Sequence, residues 1–513
     1  MNDLLTDWPH ASVAKLIDER HSQELVIALV GPVGSEVSTA AQYISDILTH
    51  DFKYKVCDTI KLSNIIKDEA WRVGVQKIPD FTSNDYLIVM QEAGNSLRKR
   101  FGGDYIVQKA IQKIVDFRRA NGGYADGGTQ QPRRFAYILD SLKNIEELQL
   151  LRTLYGESLC VFGIFAPDTT RKDRLINSGA PESAIDKIMD RDQGEVATFG
   201  QKTRKLFVDS DFFICNDRKK EELRSRVDRF LEIIFDVKIH TPTRAESAMY
   251  EAVAASVNSA CMSRQVGAAI VSQDGELISV GWNDVPKFGG GLYREDDQNI
   301  VDTDKSTFSD KDSRCFNWGG AVCHNELKKS AIIEKMAKNI KDANIVKKNI
   351  NIQKVKDLLG GTDIDSIIEF SRAIHAEMEA ILAVAREGRH SLSRATLYTS
   401  TYPCHNCARH IVASGIAKVV YIEPYLKSRA IELHCDAITE DPDDRTHVVF
   451  RQYDGVAPKN YLKLFRPLVQ RKSDGRLSPR HKKSAVPVMR VPLDSQTEHE
   501  EKVMADLRHK EGS

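Results

Sequence analysis

His375, Glu377, Cys404 and Cys407 carry the clearest chemistry in this chain, in the pattern H-x-E followed by P-C-x-x-C from Pro403 to Cys407. One imidazole and two thiolates make three zinc ligands, one short of the tetrahedral four. An open fourth position distinguishes a catalytic zinc from a structural one. Zinc in such a site lowers the pKa of a bound water toward roughly 7. Glu377 is expected to stay off the metal and to carry protons between the water and the group under attack. The plainer reading is a structural zinc with a surface glutamate nearby, or no zinc at all. Both half-motifs standing in this order weigh against it.

Two helices and a strand must bring these side chains together. His375 opens HAEMEAILAVAREG, an amphipathic run that ends at Gly388. Cys404 and Cys407 open CHNCARHIVASGI one turn apart, so both sulfurs share one face at a helix N-terminus. The positive end of the helix dipole favours the thiolate there. Between the two runs, Ala395 to Ser400 reads as a strand that delivers the chain to the metal.

The N-terminal part is organised around a different loop. Glu24 to Val30 (ELVIALV) reads as a buried strand and runs into Gly31, Gly34, Ser35, Ser38 and Thr39 before a helical pattern. Strand, Gly-containing turn and helix is the layout of a phosphate-binding loop. Laid on G-x-x-x-x-G-K-[ST], Gly31 and Ser38 fit, whereas Glu36 and Val37 replace the second Gly and the Lys. That argues against fast phosphoryl transfer, yet leaves backbone amides for a nucleotide phosphate and Ser38 for Mg2+. Phe135 to Leu139 is a second strand, ending at Asp140, where a magnesium-organising acid would stand; Leu159 to Ala166 and Phe212 to Asn216 are further strands. The cluster Thr169 to Arg174 with Asp190-Arg191-Asp192 reads either as a basic lid or as a solvated helix face. The alternation predicts a doubly wound α/β sheet with ligand at the strand carboxyl ends.

Composition bounds the rest. The 513 residues allow two or three domains, and 73 basic against 73 acidic residues give no global field toward nucleic acid or membrane. MNDLLTDWPH lacks the pattern of a secretory leader, and no apolar run approaches the roughly 20 residues that span a bilayer. Nine scattered cysteines suit a reducing cytoplasm.

Upstream of the metal motif stand Ser263-Arg264-Gln265-Val266-Gly267-Ala268-Ala269-Ile270, a hairpin turn at Gln273 to Glu276, and Gly281-Trp282-Asn283-Asp284-Val285-Pro286. With HAE and PCxxC these make the chain resemble the cytidine deaminase superfamily, most closely the deoxycytidylate deaminases. The altered phosphate loop in front extends the resemblance, over roughly residues 24 to 465, to bacterial anti-phage dCTP/dCMP deaminases. The resemblance implies a cytidine deaminase-like α/β/α zinc domain behind a P-loop kinase-like sheet. It implies deamination of free dCTP or dCMP, draining dCTP during phage infection. Restraint by the N-terminal domain or by a small noncoding RNA, and a homo-oligomer, are implied as well. It makes His375, Cys404 and Cys407 zinc ligands and Glu377 the proton shuttle. Asn283 would bond the deoxyribose, and Ser263 and Arg264 would lie near the phosphate. Taken as residues alone, Arg264 also reads as a surface arginine and Asn283 as a turn residue.

The expected organisation is a nucleotide-binding regulatory domain over 1–238, a zinc deaminase domain over 239–465 and a basic disordered tail over 466–513. Nearly ninety residues separate Asn283 from His375. They hold a Gly/Asp-rich loop from Lys287 to Asp312, then Cys315, Cys323 and His324, which leave open a second, structural zinc, and a basic helical stretch from Asn325 to Leu359. Two other classes compete: a deaminase acting on bases in nucleic acid, and a nucleotide-sensing protein with a spent deaminase domain.

Overall fold

The computed structural model describes residues 18–512 except 81–84, 127, 195–202, 218–219, 300, 303–306, 309–313, 318–320, 344–350, 363, 365–366, 426–427, 468–469 and 479. The stretch read above for a leader, and part of the Lys287 to Asp312 loop, lie outside the described residues. The chain forms two compact units, one from the residues up to Pro242 with those from Asp454 on, the other from Thr243–Tyr453.

In the first unit, strand β1 (Leu25–Val30) is six apolar residues, all buried. Helix α1 (Val37–His50) buries Val37, Ala40, Ala41, Ile44, Ile47 and Leu48, the three-and-four spacing of one helix face. Then come β2 (Lys55–Val56), β3 (Ile60–Lys61), α2 (Tyr105–Ala120), β4 (Phe135–Leu142), α3 (Ile145–Tyr155), β5 (Leu159–Phe165), α4 (Asp168–Asn177), α5 (Glu182–Gly194), β6 (Phe212–Cys215) and α6 (Lys220–Ile234). β1 pairs in parallel with β4 on one side and β5 on the other; β2 and β3 lie beyond β4, and β6 beyond β5. Neighbours drawn from opposite directions put the loop after β1 at a topological switch point. Strand β4 runs past its expected end at Asp140 to Leu142, with Ser141 at φ 73°. The Thr169 to Asp192 cluster is no simple solvated face, since Arg171 and Asp192 are both 2% exposed.

The second unit opens with α7 (Arg244–Ser256), started by a capping box in which Thr243 and Glu246 satisfy each other's backbone amides. A hairpin of β7 (Gly267–Val271) and β8 (Leu277–Trp282) follows, then α8 (His324–Asp342), α9 (Ala376–Glu387), β9 (Thr396–Thr401), α10 (His405–Ala413), β10 (Lys418–Glu423), β11 (Ile438–Thr439) and β12 (Val448–Gln452). The sheet order is β11-β12-β10-β9-β7-β8, parallel from β11 to β9 and antiparallel from β9 to β8. The helical stretch expected over Asn325 to Leu359 divides into α8 and a separate helix, Ile352–Gly360, with 344–350 outside the described residues.

The C-terminal residues depart from expectation. β13 (Gly455–Val456) pairs antiparallel with Phe212 and Phe213 of β6, so the boundary drawn at 465 falls too late. The segment 466–513, expected to be a disordered tail, contains α11 (Leu493–Gly512), which buries Leu493, Gln496, Glu500, Val503 and Leu507. Its anchor is polar: the buried Arg118 of α2 donates from Nη2 to Glu24 Oε2 at 2.8 Å and to Glu500 Oε1 at 3.1 Å. Among the described residues, no helix is long and apolar enough to cross a membrane.

Candidate metal centre

Two helix starts and one strand end meet in the second unit. His375 is the N-cap of α9 and Glu377 lies in its first turn. Cys404 is the N-cap of α10, three residues beyond β9, and Cys407 stands one turn further on. Helix α9 can lie this close to the sheet because β8 offers a glycine: a Cβ on Gly281 would stand 2.4 Å from the Ala376 carbonyl oxygen and 2.5 Å from the Ala380 nitrogen. Gly388, at φ 64°, ends α9 where the sequence places the stop.

His375 Nδ1 is 3.3 Å from both Cys404 Sγ and Cys407 Sγ. Tetrahedral zinc with one nitrogen and two sulfur ligands separates such atoms by about 3.6 Å. All three ligand atoms lie within 4.8 Å of one another, the one such group among the described residues. The donor set therefore fits zinc. Cys315, Cys323 and His324 line the adjoining cavity without forming a second group, so the structural zinc left open above is not supported.

The four groups shift one another's protonation. The hydrogen bond with Cys407 pulls the Cys404 thiol down to about 4, with His375 adding to the pull against burial. The same bond pushes the Cys407 thiol well above its ordinary range, helped by burial and by Glu377. Burial alone would lower His375, but the hydrogen bond and charge of Cys404 raise it to about 9. Burial raises the Glu377 carboxyl, which is 4% exposed and accepts from Cys407 Sγ at 3.5 Å. A pKa raised above the ordinary carboxylate range suits a carboxyl that both takes and returns protons.

A cavity of about 330 Å³ opens onto His375, Glu377 and Cys404. That is the lower end of the roughly 300–1,000 Å³ of small-molecule sites. Ser263, Arg264 and Asn283, expected at the substrate, all line it. Arg264 Nη1 lies 3.3 Å from Glu423 Oε1, and its guanidinium is 5.7 Å from the ring centre of Tyr425. Ser263 Oγ is 3.9 Å from Cys323 Sγ. Asn283 is committed to the backbone: its Oδ1 accepts from Val266 N at 2.7 Å and its Nδ2 donates to the Arg264 carbonyl at 2.8 Å. One amide hydrogen and one lone pair remain for a sugar hydroxyl. Sequence reasoning assigned no role to the cavity residues Cys261, Arg372 and Tyr425, which belong to no spacing pattern.

The residues expected around the phosphate loop are together in the first unit. Ser38 Oγ donates to Asp140 Oδ2 at 2.5 Å, and Asp140 Oδ1 accepts from Ser141 Oγ at 2.7 Å. Ser35 is fully buried, Gly34 takes φ 83° and Thr39 N donates to the Glu36 carbonyl at 3.1 Å. At Gly31 a Cβ would meet the Ile164 carbonyl oxygen at 2.4 Å, so the turn requires glycine.

Residues 242–423 match the family of the cytidine and deoxycytidylate deaminase zinc-binding region. The chain is 50% identical over 56 residues to the deoxycytidylate deaminase of Enterobacteria phage T2, covering 11% of this chain and 29% of that protein. It is 24% identical over 325 residues to the deoxycytidylate deaminase of Saccharomyces cerevisiae, covering 60% of this chain and 84% of that one. The chain thus spans under a third of the phage relative's length. Among solved structures, a dCMP deaminase from the cyanophage S-TIM5 in complex with dCMP and dUMP is 17% identical with TM-score 0.22, covering 42% of this chain and all of that one.

Proposed function

We propose that the second unit hydrolytically deaminates a free deoxycytidine nucleotide. The observation that carries this is the joining of His375, Cys404 and Cys407 to the buried Glu377, with His375, Glu377 and Cys404 in the wall of one cavity, inside the segment that matches a deaminase zinc-binding region. His375 through Nδ1 and both thiolates would hold zinc, which when bound supplies the Lewis acidity that makes water nucleophilic at neutral pH. Glu377 accepts a proton from the attacking water and delivers protons to the ring nitrogen and to the departing amine. The C4–N bond breaks, a C4–O bond forms, and cytosine with water becomes uracil with ammonia. Arg264, in the cavity lining, offers a guanidinium to the nucleotide phosphate.

The reading extends to dCTP as well as dCMP, and to depletion of dCTP as an antiviral defence. It also takes the first unit as a nucleotide-binding regulator, with a small RNA as a further restraint and a homo-oligomer as the working form. Support for the regulator is the parallel sheet with the β1 loop at its switch point; the rest follows from the resemblance alone. Chromatography of a nucleotide mixture incubated with the zinc-loaded full chain tests the reaction. Deoxyuridine nucleotides should appear with one ammonia each. An unchanged nucleotide mixture, or conversion only of cytosines within an oligonucleotide, overturns the proposal.

A further inference from the structure

The cradle after β1 lacks the lysine that its own loop would supply, since residue 37 is valine. A lysine arrives from elsewhere. Lys143, just past β4, sets its Nζ 2.8 Å from the Gly31 carbonyl oxygen. The same Nζ is 2.7 Å from Asp192 Oδ1. Asp192, on α5, reaches into the loop, where its Oδ2 accepts from the Val33 amide at 2.7 Å. A carboxylate 2% exposed, held by one loop amide and one ammonium, makes the contacts that an anionic phosphoryl oxygen makes in such a turn.

Other donors around the turn are not used up. Arg171 is 2% exposed and donates from Nε to the Val33 carbonyl at 2.8 Å and from Nη1 to Asp168 at 2.7 Å. Its backbone packs on Gly34, where a Cβ would stand 2.8 Å from the Arg171 carbonyl oxygen. Arg171 Nη2 and the Ser35 hydroxyl are buried without a hydrogen-bond partner among the described residues. Leaving such donors unsatisfied when buried is unfavourable, and more so for a charged group. A third acceptor, with more oxygens than one carboxylate offers, would satisfy them.

We propose that the β1 loop, Lys143, Arg171 and Ser35 form a binding site for a phosphoryl group, which the Asp192 carboxylate occupies in this structure as an internal latch. The inference rests on the reading of the β1 loop as a phosphate site and adds what fills it. Entry of phosphate requires Asp192 to leave, because two anions cannot share the Val33 amide and the Lys143 ammonium. Departure of Asp192 carries α5 with it, so ligand and α5 are coupled through a single exchange of anions.

The full chain, its Asp192→Ala variant and the Asp192→Ala, Lys143→Met double variant are titrated calorimetrically with inorganic phosphate and, separately, with ATP. Asp192→Ala should bind inorganic phosphate at least tenfold more tightly than the unchanged chain, and the double variant should lose that gain. A matching gain with ATP identifies the phosphoryl group of a nucleotide as ligand; a gain with phosphate alone identifies the free anion. Saturating phosphate should also speed hydrogen exchange in residues 182–192 of the unchanged chain. Phosphate binding with no gain in Asp192→Ala and no change in those amides overturns the latch and leaves the phosphate site standing. No binding to any of the three proteins overturns both. If Asp192→Ala fails to fold, Asp192→Asn keeps the shape and removes the charge facing Lys143, and a gain of about threefold or more is then required.

Discussion

Glu377 stands 3.5 Å from Cys407 Sγ in a buried position, so an amide in its place keeps the packing and removes the proton exchange. Glu377→Gln should retain zinc by elemental analysis and lower ammonia release by about 10²–10⁴-fold, the usual worth of a general acid–base group. Loss of zinc in that variant would mean that the carboxylate is a ligand and the assignment fails. The ligands themselves predict a proton count. With His375 raised to about 9 and Cys407 raised above its ordinary range, both carry protons at pH 7 before metal binds. Ligation needs neutral imidazole and thiolate, so zinc should release about two protons, and its apparent affinity should rise about a hundredfold per pH unit near neutrality. Calorimetry in buffers of different ionisation heat reads the count; a value near zero contradicts it. The metal set was legible because zinc restricts ligands to few residue types. The bonds of Asn283 were not, since their partners are the Val266 amide and the Arg264 carbonyl, which every sequence has.

At the scale of elements, the site depends on how closely α9 approaches β8. Gly281→Ala would push the first turn of α9, and His375 and Glu377 with it, away from Cys404 and Cys407. A displacement on the order of 1 Å costs about 10²-fold in turnover when reacting groups must align. The variant should lose about that much activity and bind zinc more weakly while circular dichroism shows the unit still folded; unchanged kinetics would show that the helix tolerates the shift. These elements announced themselves in sequence. His375 and Gly388 bracket α9 by a ligand at its start and a left-handed glycine at its end, and Cys404 opens α10 after Pro403. The anion exchange at the β1 loop was hidden, because Lys143 and Asp192 lie 49 positions apart and neither belongs to the loop they complete.

Across the whole chain, the C-terminal residues were the hardest to read, for a reason visible in α11. Its buried positions, 493, 496, 500, 503 and 507, step by three and four, yet two of the five are Gln496 and Glu500. A stripe with a carboxylate at its centre has no apolar period, and the basic Pro/Ser-bearing stretch before it reads as solvated. What makes Glu500 buriable is Arg118, almost four hundred residues earlier, which it shares with Glu24 while Tyr155 donates to Glu500 Oε1 at 3.1 Å. The number of ions left unpaired decides the cost of breaking this group. Glu500→Gln leaves Arg118 with Glu24 and should destabilise the first unit by about 1–3 kcal/mol. Arg118→Met leaves two carboxylates facing each other without a cation and should cost more, about 3–5 kcal/mol. Truncation after Phe465 removes α11 as well as Glu500 and exposes the apolar residues it covers, so it should yield an aggregating chain rather than a trimmed one. Urea denaturation followed by circular dichroism ranks the three. A truncated chain as stable as the intact one would show that α11 decorates the first unit instead of completing it.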